Sequence, residues 1–149
     1  MGLVSEQSLY NLTQRSVELE VLPACKEYGL GFIPWSPLAG GLLGGKPPDD
    51  NKSRRKTAWD DSDRYKKFID QLEQYYSICE EYSIKPAQLS LSWLLHNSVV
   101  TAPIIGPRTI SQLDESLISI EYTIEKDLLN RLDKIWPGPG GAAPEAYAW

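Results

Sequence analysis

Four glycines fall within six positions, at Gly40, Gly41, Gly44 and Gly45, just after an apolar run from Gly31 to Trp35 and the hydroxyl of Ser36. Glycines spaced in this way let backbone N–H groups crowd against a large anionic ligand with no Cβ in the way. The stretch Phe32-Ile-Pro-Trp-Ser-Pro-Leu-Ala-Gly-Gly-Leu-Leu-Gly-Gly-Lys46 therefore reads as a strand end feeding a phosphate-cradling loop. Two other readings compete with it. Gly40 to Lys46 nearly matches the G-x-x-x-x-G-K loop of ATP-binding proteins, but Pro47 replaces the hydroxyl residue that would hold magnesium. Pro47 and Pro48 also forbid the immediate helix that such a loop needs. The third reading is a glycine turn with a purely structural role.

A second stretch, Pro103 to Ser116, has the same flavour. Gly106 ends an apolar run, and Arg108 stands just before a helix expected to start near Ile110. A guanidinium beside a helix N-terminus makes a good phosphate site. Gln112 and Glu115, three residues apart, project from one side of that helix and could hydrogen-bond a heterocycle and its ribose. The plain alternative is a surface helix with a polar face. What favours a site is that two anion-suited loops follow two successive strands.

Those loops need elements to hold them. Short apolar strands are expected at Leu3 to Ser5, Gly31 to Trp35 and Val99 to Ile105, with a polar corner at Tyr10-Asn11 after the first. A helix is predicted over about 18–28, stopped by Gly29, with Pro23 tolerated only near the first turn. A long helix follows over about 63–82, carrying Phe68, Leu72, Tyr75 or Tyr76, Cys79 and Tyr82 inward. Pro86 suits the first turn of the next helix, with Leu91, Trp93, Leu94 and Leu95. Two more helices carry Ile110, Leu113, Leu117 and Ile120, then Leu128, Leu129, Leu132 and Ile135. The polar segment 47–61 is expected to be a mobile flap, and 137–149 an irregular tail. Strands alternating with helices mean βα units and a parallel sheet. Three strands are few for a parallel sheet that must be covered on both faces, so the chain looks like part of an architecture.

Composition narrows the partners. With 149 residues the chain can bury one core, and its net charge of −5 argues against nucleic acid or an anionic membrane. No apolar run approaches the ~20 residues of a membrane span. The N-terminus lacks the pattern of a signal peptide, and Glu6 breaks the myristoylation pattern. Cys25 and Cys79 have no C-x-x-C spacing and are expected to be buried, reduced thiols in a cytoplasmic protein. His96 is the only histidine, which rules out a His-rich metal site, and it is expected at a helix end with no catalytic role.

Taken together, Gln7 with Tyr10-Asn11, the Trp35 to Lys46 loop and Gly106-x-Arg108-x-x-x-Gln112-x-x-Glu115 resemble the C-terminal half of aldo-keto reductases. The resemblance covers nearly the whole chain, and the closing Pro-Glu-Ala-Tyr-Ala-Trp is similar to the end of bacterial members. It implies an α/β chain folded as a partial (β/α)8 TIM barrel, about the last three βα units, over 1–136, followed by the tail. It implies NADP(H) as cofactor. Gln7 would bond the nicotinamide carboxamide, and Trp35 would stack on its ring. Ser36, Leu38, Gly40 and Gly41 would line the pyrophosphate beside Gly106. Arg108 would pair with the 2′-phosphate, while Gln112 and Glu115 would hold the adenosine end. Ser116 stands where the family usually has Asn, which weakens the expected adenine contact.

The family's catalytic Asp, Tyr, Lys and His belong to the half with no counterpart here, so the resemblance transfers no catalytic residue. The complete barrel would reduce aldehydes or ketones to alcohols with NADPH. An open half-barrel is expected to self-associate or to pair with a missing N-terminal half. Other outcomes are a non-catalytic nucleotide-binding or regulatory module, or an inactive truncated product.

Overall fold

The computed structural model describes residues 2–45 and 63–141. Three extended segments lie side by side and run parallel. Strand β1 (Ser5–Glu6) pairs with β2 (Gly31–Phe32) in the register Ser5 with Gly31 and Glu6 with Phe32. The pairing continues past these short strands to a parallel bridge between Leu9 and Trp35. On the other side of β2 a third segment bridges Phe32 through Val100, with Thr101 N–H donating to the Phe32 carbonyl at 2.8 Å and Ile104 N–H to that of Pro34 at 2.8 Å. The order is therefore first, second, third, as successive right-handed βα units would give.

The extents differ from those read in the sequence. The first strand lies two residues later than expected, and the third is one bridge with hydrogen bonds rather than a full strand. Pro34 and Pro103 have no N–H to donate, which interrupts the ladder within both segments.

Helix α1 (Val21–Tyr28) starts late enough to put Pro23 in the first turn, where its missing N–H costs no helical bond. Gly29 ends it in the left-handed conformation (φ 64°, ψ 34°), with its N–H on the Cys25 carbonyl. The expected long helix is two: α2 (Asp63–Lys67) and α3 (Ile69–Glu81), separated at Phe68, whose backbone leaves the helical region (φ −116°, ψ 13°). Helix α4 (Pro86–His96) begins on its proline, and α5 (Ile110–Leu117) is capped by Thr109, whose side chain accepts the Gln112 N–H. Helix α6 (Lys126–Ile135) closes the core with Leu128, Leu132 and Ile135. The segment 47–61, read as a flap, and the tail beyond Gly141 lie outside the described residues.

The core lies between one face of the parallel ladder and the helices. Phe32 is fully buried, and its ring meets that of Tyr10, which in turn meets Trp93 of α4. Tyr10 and Asn11, read as a polar corner, are 2% and 0% exposed, so this corner is interior. Arg15 straps the N-terminal part to α6: its guanidinium donates to Glu18 at 2.7 and 3.1 Å, to Asp133 at 2.6 Å and to the Trp136 carbonyl at 2.8 Å. Both cysteines are buried free thiols.

The opposite face of the ladder has no such cover. Alternation along the strands puts Ser5, Gln7 and Leu9 on the same side as Gly31, Ile33 and Trp35. A Cβ built on Gly31 would lie 3.1 Å from Thr101 Oγ1 and 3.8 Å from Ser5 Cβ, which places Thr101 on that side too. None of these seven residues is buried among the described residues. Helix α5 likewise buries none of its residues, and Ile110, Leu117, Ile118 and Ile120 of its apolar stripe are exposed.

Candidate functional site

The loops singled out in the sequence emerge at one end of the ladder. Gln7 follows β1, Trp35 and the glycine loop follow β2, and Gly106 to Arg108 follow the third segment. In a parallel sheet this C-terminal end is where ligands gather, because the loops leave it with their backbone groups unpaired.

Trp35 presents a ring 43% exposed on the uncovered face, while its N–H donates to the Ser8 carbonyl at 3.0 Å. The backbone is fixed by the ladder and the ring is free to stack. Gln7, exposed on the same face, makes no hydrogen bond among the described residues. Thus the two residues expected at a nicotinamide share a face and an end of the sheet.

The loop that follows is wound tightly. Ser36 and Ala39 take positive φ values of 55° and 51°, and Gly40 and Gly41 follow at 70° and 103°. Ser and Ala rarely enter this region, and the strain persists only where surroundings hold it. Here three buried side chains grip the loop carbonyls. Asn11 Nδ2 donates to the Ser36 carbonyl at 2.9 Å, Ser90 Oγ of α4 to that of Pro37 at 2.9 Å, and the Tyr76 hydroxyl of α3 to that of Leu42 at 2.5 Å. Since C=O and N–H point to opposite sides of a trans peptide, turning the Pro37 carbonyl inward turns the Leu38 N–H outward. That N–H has no hydrogen-bond partner among the described residues.

At the third corner the Arg108 N–H donates to Gln112 Oε1 at 2.8 Å, so Gln112 caps the start of its own helix. The Arg108 side chain is exposed and has no ion-pair partner among the described residues. Glu115 accepts from Lys85 Nζ at 2.7 Å, and Ser116 Oγ donates to the Gln112 carbonyl at 2.7 Å. The side chains expected at an adenosine are therefore engaged with the protein itself, whereas the expected phosphate ligand is free. Gly106 has nothing within 4 Å of a hypothetical Cβ, so its approach to a ligand is open.

Sequence reasoning missed the grips. In the sequence Asn11 stands in a polar corner, Tyr76 on the apolar face of a helix, and Ser90 carries no signal of its own. A buried polar side chain gives no periodic signal, so nothing in the pattern marked them. A cavity of about 720 Å³ lies among Tyr10, Arg15, Glu18, Lys26, Trp93 and Asp133. Arg15, Glu18 and Asp133 in its wall are already committed to one another in the strap described above. Burial, with the Glu18 carboxylate behind it, pushes the Tyr10 hydroxyl above its ordinary value, so it stays a protonated donor to Glu18 at 2.8 Å. Nothing there is poised for a ligand.

Comparison with known proteins gives the family of the chain. The model of the Aldo/keto reductase family matches residues 1–137. An uncharacterized oxidoreductase, YrpG, of Bacillus subtilis (strain 168) is 49% identical over 149 residues, which is 100% of this chain and 45% of that protein. A probable aldo-keto reductase 1 of Glycine max is 30% identical over 85% of this chain and 38% of its own length. A putative voltage-gated potassium channel subunit beta of Schizosaccharomyces pombe is 32% identical over 89% of this chain and 42% of its own. The chain spans less than half the length of each of these relatives.

Proposed function

Because the chain belongs to the aldo/keto reductase family, we propose that it is the cofactor-seating C-terminal portion of an NADP(H)-dependent reductase barrel. The observation that carries this reading is the gathering of an exposed ring, a glycine loop held in left-handed turns and a guanidinium without an ion-pair partner among the described residues, at one end of three parallel segments.

The residues fit the cofactor chemically. The Trp35 face suits the nicotinamide, and the Gln7 amide offers both a donor and an acceptor to a carboxamide. The outward Leu38 N–H and the Cβ-free backbone at Gly40 and Gly41 suit a pyrophosphate, with Ser36 beside them. Arg108, just ahead of the α5 N-terminus, meets a 2′-phosphate with a planar fork and a favourable helix dipole. Gln112 and Glu115 reach an adenosine by exchanging their present partners. NADPH held there would supply a hydride to an aldehyde or ketone, and the proton that completes the alcohol would come from a group in the rest of the complete barrel. This chain's own residues hold, orient and shield; no residue here is assigned the role of proton donor.

A partial barrel explains the uncovered sheet face, since a purely parallel sheet is ordinarily covered on both sides. The missing cover is the remaining βα units of the barrel, or a second copy of this chain, in a cytoplasmic setting. Size-exclusion chromatography with light scattering tests this: association, or recruitment of a separately expressed N-terminal half, is expected, and a well-behaved monomer that ignores that half contradicts it.

The similarity to a channel beta subunit favours a second reading, a nucleotide-binding regulatory module without turnover. Aldehyde-dependent loss of NADPH absorbance separates the two. Turnover by the chain joined to an N-terminal half supports the reductase, and NADPH binding with no turnover in that assembly supports the module.

A further inference from the structure

We infer that Asn11 is a positioning residue for the cofactor loop, holding Ser36 in its left-handed conformation so that Trp35 and the Leu38 N–H face the ligand. The inference rests on the cofactor-seat reading above. Asn11 is 0% exposed, although an amide side chain is costly to bury without partners. Its partners are all accounted for by one geometry. Oδ1 accepts from the Thr13 N–H at 3.0 Å and from Thr13 Oγ1 at 2.9 Å, which fixes the orientation of the amide plane. The plane so fixed aims Nδ2 at the Ser36 carbonyl, 25 residues away, at 2.9 Å.

The target of that donor matters. Ser36 lies between Trp35 and Pro37, at φ 55°, in a region a serine leaves readily unless it is held. Its carbonyl also accepts the Ala39 N–H at 3.0 Å, closing the first turn of the loop. One buried amide thus stabilises both the unfavourable backbone and the turn that follows. The Ser90 grip on Pro37 acts on the next peptide, so Asn11 alone sets the residue joining the stacking ring to the glycines. Without it Ser36 relaxes toward negative φ, and Trp35 and the Leu38 N–H lose their common direction.

The test uses the full chain and NADPH itself. Asn11→Asp keeps both Thr13 contacts and loses the donor to Ser36. Asn11→Ala removes the same donor without burying a charge and serves if the aspartate variant does not fold. Thr13→Val breaks one contact to the same amide but leaves the Ser36 bond, so it reports the effect of general loosening. Amide hydrogen exchange at 36–44 and the NADPH dissociation constant are measured for each. Expected are faster exchange confined to that loop and an affinity loss of about tenfold for the Asn11 variants, with Thr13→Val within about twofold of the parent. Equal affinity losses in the Asn11 and Thr13 variants, or unchanged loop exchange in the Asn11 variants, overturn the positioning role while leaving the cofactor reading intact. Failure of the parent chain to bind NADPH overturns the cofactor reading and the positioning role with it.

Discussion

Removing the Arg108 side chain should separate NADPH from NADH, because the two differ only in the 2′-phosphate that this guanidinium is placed to meet. The substitution leaves the local fold in place: the contact that caps α5 runs from the Arg108 backbone N–H to Gln112 Oε1, and Arg108→Ala retains it. A charge-assisted hydrogen bond contributes about 1.5–3 kcal/mol. Arg108 is exposed, so solvent and salt screening put the expected value in the lower half of that range. About 1.5–2 kcal/mol corresponds to a rise of roughly 10- to 30-fold in the NADPH dissociation constant. NADH affinity should change by less than about twofold. Arg108→Lys keeps the charge without the planar fork and should fall between. Isothermal titration of parent and variants with both nucleotides reads this directly. Equal weakening toward NADPH and NADH would refute the 2′-phosphate role, and so would an NADPH effect that does not shrink as salt is raised.

Other parts of the structure make further predictions. Arg15→Ala leaves the largely buried Glu18 carboxylate without its cation, with only the Tyr10 hydroxyl donating to it, and removes the donor to the Trp136 carbonyl; a loss of about 3 kcal/mol in urea unfolding is expected, and a loss below about 1 kcal/mol contradicts the strap. Gly29→Ala meets no neighbour within 4 Å but keeps φ at +64°, so it should cost about 1 kcal/mol, whereas Gly106→Ala, equally unobstructed and with no positive φ, should be nearly neutral. Burial pushes the Cys79 thiol up to about 12 from 9.0, so its neutral form is favoured in the folded chain. The unfolded thiol ionises first. That contribution is therefore full below pH 9 and declines between 9 and 12, and Cys79→Ala should flatten the alkaline fall in the urea midpoint.

The sequence was legible where local chemistry acts alone. Gly29 and Pro86 mark helix boundaries because each serves a specific backbone need at a specific position, and Pro23 limits how early its helix can begin. The turns at Gly40 and Gly41 and the helix after Arg108 were legible for the same reason, since glycines mark where left-handed backbone is allowed and the apolar spacing marks the helix. Phe68 was not, because its apolar character continues the helical pattern while its backbone departs from it. Nor was the third segment, where Pro103 within it and Pro34 on its partner thin the ladder to a single bridge. The exposed stripe of α5 shows the converse: periodicity predicts which face is apolar, but the cover must come from elsewhere. Least legible were Asn11, Ser90 and Tyr76. Their work on the Ser36, Pro37 and Leu42 carbonyls joins residues 25, 53 and 34 positions apart, and only the folded chain brings them together.

The central claim is that this end of the sheet seats NADP(H), and Trp35 offers the most direct measurement. Fluorescence of the full chain is followed during titration with NADPH and with NADH, alongside Trp35→Phe to isolate this ring from the other four tryptophans. The account predicts a saturable change for NADPH, largely lost in Trp35→Phe, with NADPH bound about tenfold or more tightly than NADH. A titration with no saturable change, or one that survives intact in Trp35→Phe, would contradict it.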